Sequence, residues 1–329
     1  MGRGAMRRST AFRAGLALLA VAGTGTVHAR MDTTASIGQS EHFVPRPDRA
    51  RISSLGFDAV VADYYWLLAV QLVGGATSPG SESTAIGRLI DVATTVDPWM
   101  DHPYRFAALW LTDSEESVRH ANRLLVRGIA HHPREWRNRY HLGFNHFFYL
   151  EDRQSAADAL EAAIALPRAP RYLGPLVARL RASGGDPEAG NGLETAAGFL
   201  RELDRTSEDE YSRAEYQKAL DEIETERAAR FLDAARDAYE RRFGRDIDGM
   251  EDLTAGASPV LRGIPPAHPH LDGFRWQLDS DTAEIVSSFY GKRYQLHVHP
   301  TDRLRQERWR KLRQAQSSGA EDASAEEAI

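Results

Sequence analysis

Three segments decide how this chain folds: STAIGRLIDVATTVDP (83–98), SVRHANRLLVRGIAHHP (117–133) and SAADALEAAIALP (155–167). Each is a helical run that ends on a proline, and the prolines, Pro98, Pro133 and Pro167, fall 35 and 34 residues apart. Proline lacks the amide hydrogen and pushes the residue before it out of the helical region, so each run must stop there. Small and aliphatic residues recur in matched places: Ile86/Ile90/Ala93, Ala121/Leu125/Gly128 and Ala156/Leu160/Ala163. A repeat of about 34 residues with this spacing is the pattern of stacked helix pairs, each too small to bury its own apolar face. It predicts a mostly α fold: an α-solenoid of helical hairpins over residues 52–206, with a small α+β module near the C-terminus.

The second helix of a tetratricopeptide repeat resembles these runs: a small residue, a bulky one four on, a small one three further, then a proline. The unit from Trp136 to Pro167 also carries Leu142-Gly143, similar to the Leu-Gly pair of the repeat's first helix. Glycine there lets two helices approach closely. The match is degenerate. Trp136 falls three residues early, His146 stands where tyrosine is usual, and the unit from His102 to Pro133 lacks the Leu-Gly pair. The alternative is another α-solenoid or bundle. The resemblance implies a concave groove lined by first helices, with Phe106, Trp110, Arg137, Tyr140, Phe144 and Phe147 in or beside it. Aromatics with Arg are the residue types that anchor interfaces. Packing between helices is the competing use of the same rings.

Composition narrows the function. The 329 residues carry a net charge of −6 and a pI near 6.1, which gives no general argument for nucleic acid. Cysteine is absent from the sequence. That excludes disulfides, thiolate catalysis, Cys-ligated zinc and a lipoprotein attachment site. No phosphate-binding glycine loop or nucleophile-elbow motif occurs. The sequence therefore points to no enzyme class and to no cofactor.

Residues 1–30 read as an export signal or an N-terminal anchor. Arg3, Arg7, Arg8 and Arg13 precede the run GLALLAVAGTGTV (15–27), and Val27-His28-Ala29 offers a small-x-small cleavage site. The run is shorter than the ~20 residues of a membrane span. The expected location is periplasmic or extracytoplasmic, either free or held at the inner membrane by this segment. Residues 31–51 read as a linker. Residues 58–73, DAVVADYYWLLAVQLV, read as a buried first helix of the solenoid, and Asp58 and Asp63 argue against a span.

Beyond the repeats, residues 207–243 predict a long charged helix or helix pair. Ser207 with Glu210 suggests a capping box, and an apolar stripe runs through Ala219, Ile223, Ala228, Phe231, Leu232, Ala235 and Tyr239. Residues 244–300 predict a short helix (247–254), strands near 274–278 and 284–287, and a third strand over 293–299. This stretch loosely resembles the C-terminal segment of type II secretion major pseudopilins, although Asp246-Ile247 replaces the usual Tyr-Pro after Gly244-Arg245. Residues 301–329 predict a basic helix, open to peripheral membrane association, and a disordered acidic tail.

The remaining candidate chemistry is metal binding. His268 and His270, like His297 and His299, are spaced i, i+2, and on the expected strand over 293–299 that spacing places both imidazoles of the second pair on one face. Two such pairs beside one small sheet would suit zinc or copper. Two readings follow. The first is an exported scaffold binding a partner protein or peptide in an envelope assembly. The second is a periplasmic metal-binding protein or enzyme using the histidine-bearing module.

Overall fold

The computed structural model describes residues 44–75, 83–184, 192–256, 258–296 and 300–326. The expected export or anchor segment and most of the expected linker lie outside them. Helices dominate: α1 (Pro47–Ser53), α2 (Asp58–Gly75), α3 (Ser83–Val96), α4 (His102–Trp110), α5 (Glu115–His131), α6 (Trp136–Phe148), α7 (Arg153–Ile164), α8 (Leu173–Gly184), α9 (Gly192–Thr206), α10 (Glu210–Phe243) and α11 (Pro300–Glu326). Among the described residues the strands are β1 (Trp276–Leu278) and β2 (Ile285–Ser287).

Helix ends follow local chemistry. α3, α5 and α7 each stop two or three residues before their proline, as the spacing required. At the starts, Ser114 Oγ accepts the Ser117 amide at 3.1 Å and Asp152 Oδ1 accepts the Ser155 amide at 2.9 Å. Each satisfies an amide that the helix cannot. α10 is capped by Asp209, whose Oδ2 accepts the Ser212 amide at 3.0 Å, and not by Ser207. It ends on Gly244 at φ +68°, a left-handed position that glycine takes without strain.

Consecutive helices pack as hairpins, α2 on α3, α4 on α5, α6 on α7 and α8 on α9, and each hairpin packs on the next. Gly143 shows why the small residues recur. A Cβ there would lie 2.7 Å from Leu160 Cγ and 3.1 Å from the Ala156 carbonyl oxygen. Gly128 faces the Tyr104 ring in the same way, at 2.7 Å. Polar ties join neighbouring hairpins. Arg127 on α5 donates to Asp91 Oδ1 (2.7 Å), Thr94 Oγ1 and Thr95 Oγ1 on α3. Asn145 on α6 donates to Asn122 on α5 at 2.8 Å inside the core.

α10 is one helix of 34 residues. Its first half closes the last hairpin, with Tyr216, Ala219 and Ile223 against Leu193, Ala196 and Leu200. Its second half carries the C-terminal module, with Ala229, Leu232, Ala235 and Tyr239 against Ile247, Met250, Leu253, Trp276 and Ile285. β1 and β2 pair antiparallel, Trp276 opposite Ser287 and Leu278 opposite Ile285. Asp279 shapes the turn between them by accepting the Asp281 and Thr282 amides.

Several expectations change. Residues 47–51, read as linker, lie in α1, which starts on Pro47, where a missing amide is harmless. The short helix after Gly244 is a single 3-10 turn, Met250–Leu253. Residues 293–296 form no strand, because Arg293 and the Tyr294 amide are turned towards α10 instead. The terminal helix continues through the acidic stretch to Glu326. Among the described residues, no helix is long and apolar enough to cross a membrane.

Candidate functional site

The first helices α2 and α4 bring two of the sequence-selected aromatics, Phe106 and Trp110, together with one addition, Trp66. Trp66 on α2 meets Phe106 on α4 edge to face, with centroids 4.8 Å apart. Phe106 meets Trp110 one turn on, at 5.9 Å. Such pairs add to the area they bury. Trp110 is 49% exposed and its neighbour Leu109 is 61% exposed. α2 adds exposed Val60, Tyr64 and Leu67. It is not the buried helix the sequence suggested: only Ala62, Ala69 and Leu72 of it are buried. Its side chains are apolar on every side, so no stripe could indicate which face packs.

The α6 residues divide. Arg137 is exposed, with its guanidinium over the Trp136 ring at 4.9 Å and a hydrogen bond to Glu135. Tyr140 and Phe147 pack against the core formed by α7 and α8, so packing accounts for both. Phe144 is partly exposed and stacks on Phe148 at 5.2 Å. Beside it, Trp309 of α11 buries its ring against Tyr149 and donates Nε1–H to the Tyr149 carbonyl at 2.7 Å. The basic C-terminal helix is thus seated on the end of α6, with Arg310 and Arg313 facing Glu151.

The histidine hypothesis divides as well. His268 is buried, and its Nδ1 accepts the amides of His270 and Leu271, both at 3.2 Å. Its ring lies against Phe289 and Tyr290. His270 turns outward to Asp221 at 3.2 Å. The two imidazoles therefore point apart, one into the module and one outward, and do not converge on one ion. His297 and His299 lie outside the described residues. Among the described residues, no group of three His, Cys, Asp or Glu is arranged to hold a metal ion.

A second feature was not visible in the sequence. A cavity of about 180 Å³ opens between α8, α10, the β-hairpin and residues 288–296. Glu226 lies beside it, 5% exposed, with Arg293 forked across its carboxylate at 2.9 and 3.0 Å. Arg230 Nε and the Tyr294 amide complete its shell. Burial works against the Glu226 charge, but these donors outweigh it and hold the carboxyl below its usual range. The loop is therefore pinned to α10 by a buried, fully hydrogen-bonded ion pair. The aromatic and basic residues of Tyr290-Gly291-Lys292-Arg293-Tyr294 were the available signal, but the extended reading of that stretch hid it.

No family model matches the chain, and no curated protein or solved structure matches it.

Proposed function

We propose that this protein is an exported, tetratricopeptide-like scaffold that binds a partner protein or peptide through its first helices, within a cell-envelope assembly for secretion, transport or a pilus-related process. The observation that carries the reading is the ring chain Trp66–Phe106–Trp110, which crosses from one hairpin to the next and ends half in solvent. Exposed Tyr64, Leu67 and Leu109 border it on the same two helices. Large rings that enter and leave water at low entropic cost are the anchors of binding surfaces. The period of the prolines and the close approach at Gly143 support the repeat assignment. The basic, then apolar pattern of residues 1–30 supports export.

The test is cross-linked co-purification from the native host, comparing wild type with the Trp110→Glu/Phe144→Glu variant. Circular dichroism checks that the variant is folded. A partner captured by the wild type and lost from the folded variant supports the reading. Equal capture by both places the binding surface elsewhere. Amino-terminal sequencing of the mature protein separates a cleaved signal from a retained anchor.

A further inference from the structure

The stack of hairpins ends at α2 without a cap. In a solenoid each first helix is flanked by its neighbours, and the terminal unit normally turns a polar face outward. α4 and α6 pack on each other in this way. α2 packs on α3, with Ala62, Ala69 and Leu72 buried, and it reaches α4 through Trp66. α1, the one described helix before it, packs on α3. The rest of α2 faces water and is apolar. Val60, Tyr64 and Leu67 are each more than half exposed, as is Phe57 just before the helix, and Val70 is partly exposed.

Phe57, Val60, Tyr64 and Leu67 follow one another at spacings of three, four and three, and exposed Gln71 continues the line. That is the spacing at which one helix offers a seam to another. With Val70, these side chains present on the order of 500 Å² of apolar surface, near the largest patch an ordinary monomer leaves in water. Two such faces together bury about 1,000 Å², where specific interfaces begin. Charge narrows the occupant. α2 contains no Lys or Arg, and its charges are Asp58 and Asp63, so an anionic membrane surface repels it. The far end of the stack is closed, because α10 covers the last hairpin and carries the C-terminal module. That end presents no free first helix, so copies cannot add head to tail.

We infer that this face of α2 binds a second copy of the chain, in a twofold dimer whose two α2 helices run antiparallel. Tyr64 of each copy packs on Leu67 of the other, which buries the stripe and joins the two stacks end to end. The two Asp63 carboxylates are offset by about five residues, roughly 8 Å at 1.5 Å per residue, and stay in water at the rim. A contact at the small end of the range gives a dimer that dissociates at micromolar concentration. Trp110, on α4, lies outside the seam and remains for the partner.

Sedimentation equilibrium of the purified full chain, from about 1 to 100 μM, reads the association directly. The mass is expected to rise from that of one chain to twice it. Leu67→Glu, at a position exposed in the single chain, brings a charge to the seam from each copy. It is expected to raise the dissociation constant about a hundredfold or more. Circular dichroism checks that the variant is folded. A second measurement does not depend on that variant. The sequence has no cysteine, so Leu67→Cys carries a single thiol. A short bismaleimide should join two Leu67→Cys chains and should not join two Val126→Cys chains, whose position on α5 is as exposed. The mass of one chain throughout, a folded Leu67→Glu variant that pairs as wild type does, or equal joining at 67 and 126 overturns the inference. Neither measurement involves a partner protein, and Trp110→Glu/Phe144→Glu leaves the seam intact, so this inference and the partner reading fail separately.

Discussion

Separating Glu226 from Arg293 should cost more than any surface ion pair of this protein. Both side chains are well buried, at 5% and 12% exposure, and the guanidinium meets the carboxylate on two atoms. Removing one partner from a buried pair typically costs 3–5 kcal/mol, because the other charge is left in a poorly hydrated site. Here each partner keeps a second contact. Arg230 still reaches Glu226, and Asp233 still reaches Arg293, although both are substantially exposed. About 3 kcal/mol, the lower end of that range, is therefore expected for Arg293→Met or Glu226→Leu alone. In the double variant neither charge is stranded, and the two losses should fall short of additive by about 2 kcal/mol. Urea unfolding followed by far-ultraviolet circular dichroism reads all three. The pH dependence has a fixed sign. Glu226 is held below its usual range in the folded protein, so its contribution is complete above about pH 4.3, its unfolded value. It is lost as pH falls through the lower folded value, so the gap between wild type and Glu226→Leu should narrow only in acid. Single losses under about 1 kcal/mol, or additive ones, would refute the pinning role given to this pair.

Two further predictions concern the repeats and the terminal helix. Gly143→Val places a Cβ 2.7 Å from Leu160 Cγ, and should destabilise by about 1–3 kcal/mol, with partial recovery when Leu160→Ala is added; thermal melts of the two variants decide it. Trp309→Ala should release α11 from the end of α6 without unfolding the hairpins, because that single buried ring carries most of the docking; amide exchange over residues 300–315 should rise, while exchange in α5 and α7 stays as in wild type.

The parts legible in the sequence were those governed by local rules. Pro98, Pro133 and Pro167 stopped their helices because proline acts within its own turn. Gly143 could be read as a point of close helix approach because the Leu-Gly resemblance placed it in the first helix of a hairpin, although its partner Leu160 was seen only in the structure. The parts that stayed hidden depend on distant partners. Glu226 reads as one more charge on a charged helix, and only Arg293, 67 residues on, makes it a buried residue. Phe231 fitted the apolar stripe of α10 but is exposed, because the buried line runs through Ala229 and Leu232. The face of α2 was hidden for the opposite reason: with apolar residues all round, nothing marked the side that would remain in water. The burial of His268 was hidden because it depends on the turn whose His270 and Leu271 amides its own ring accepts.

A photoreactive benzoylphenylalanine placed in turn at positions 110 and 126, in cells that make the full protein, tests the binding surface most directly. Trp110 ends the ring chain of the first helices, and Val126 is a comparably exposed position on α5, a second helix. Cross-links to one discrete partner from position 110, with none from 126, are expected if the first helices form the docking surface. Equal cross-linking from both positions, or cross-linking from 126 alone, would contradict it.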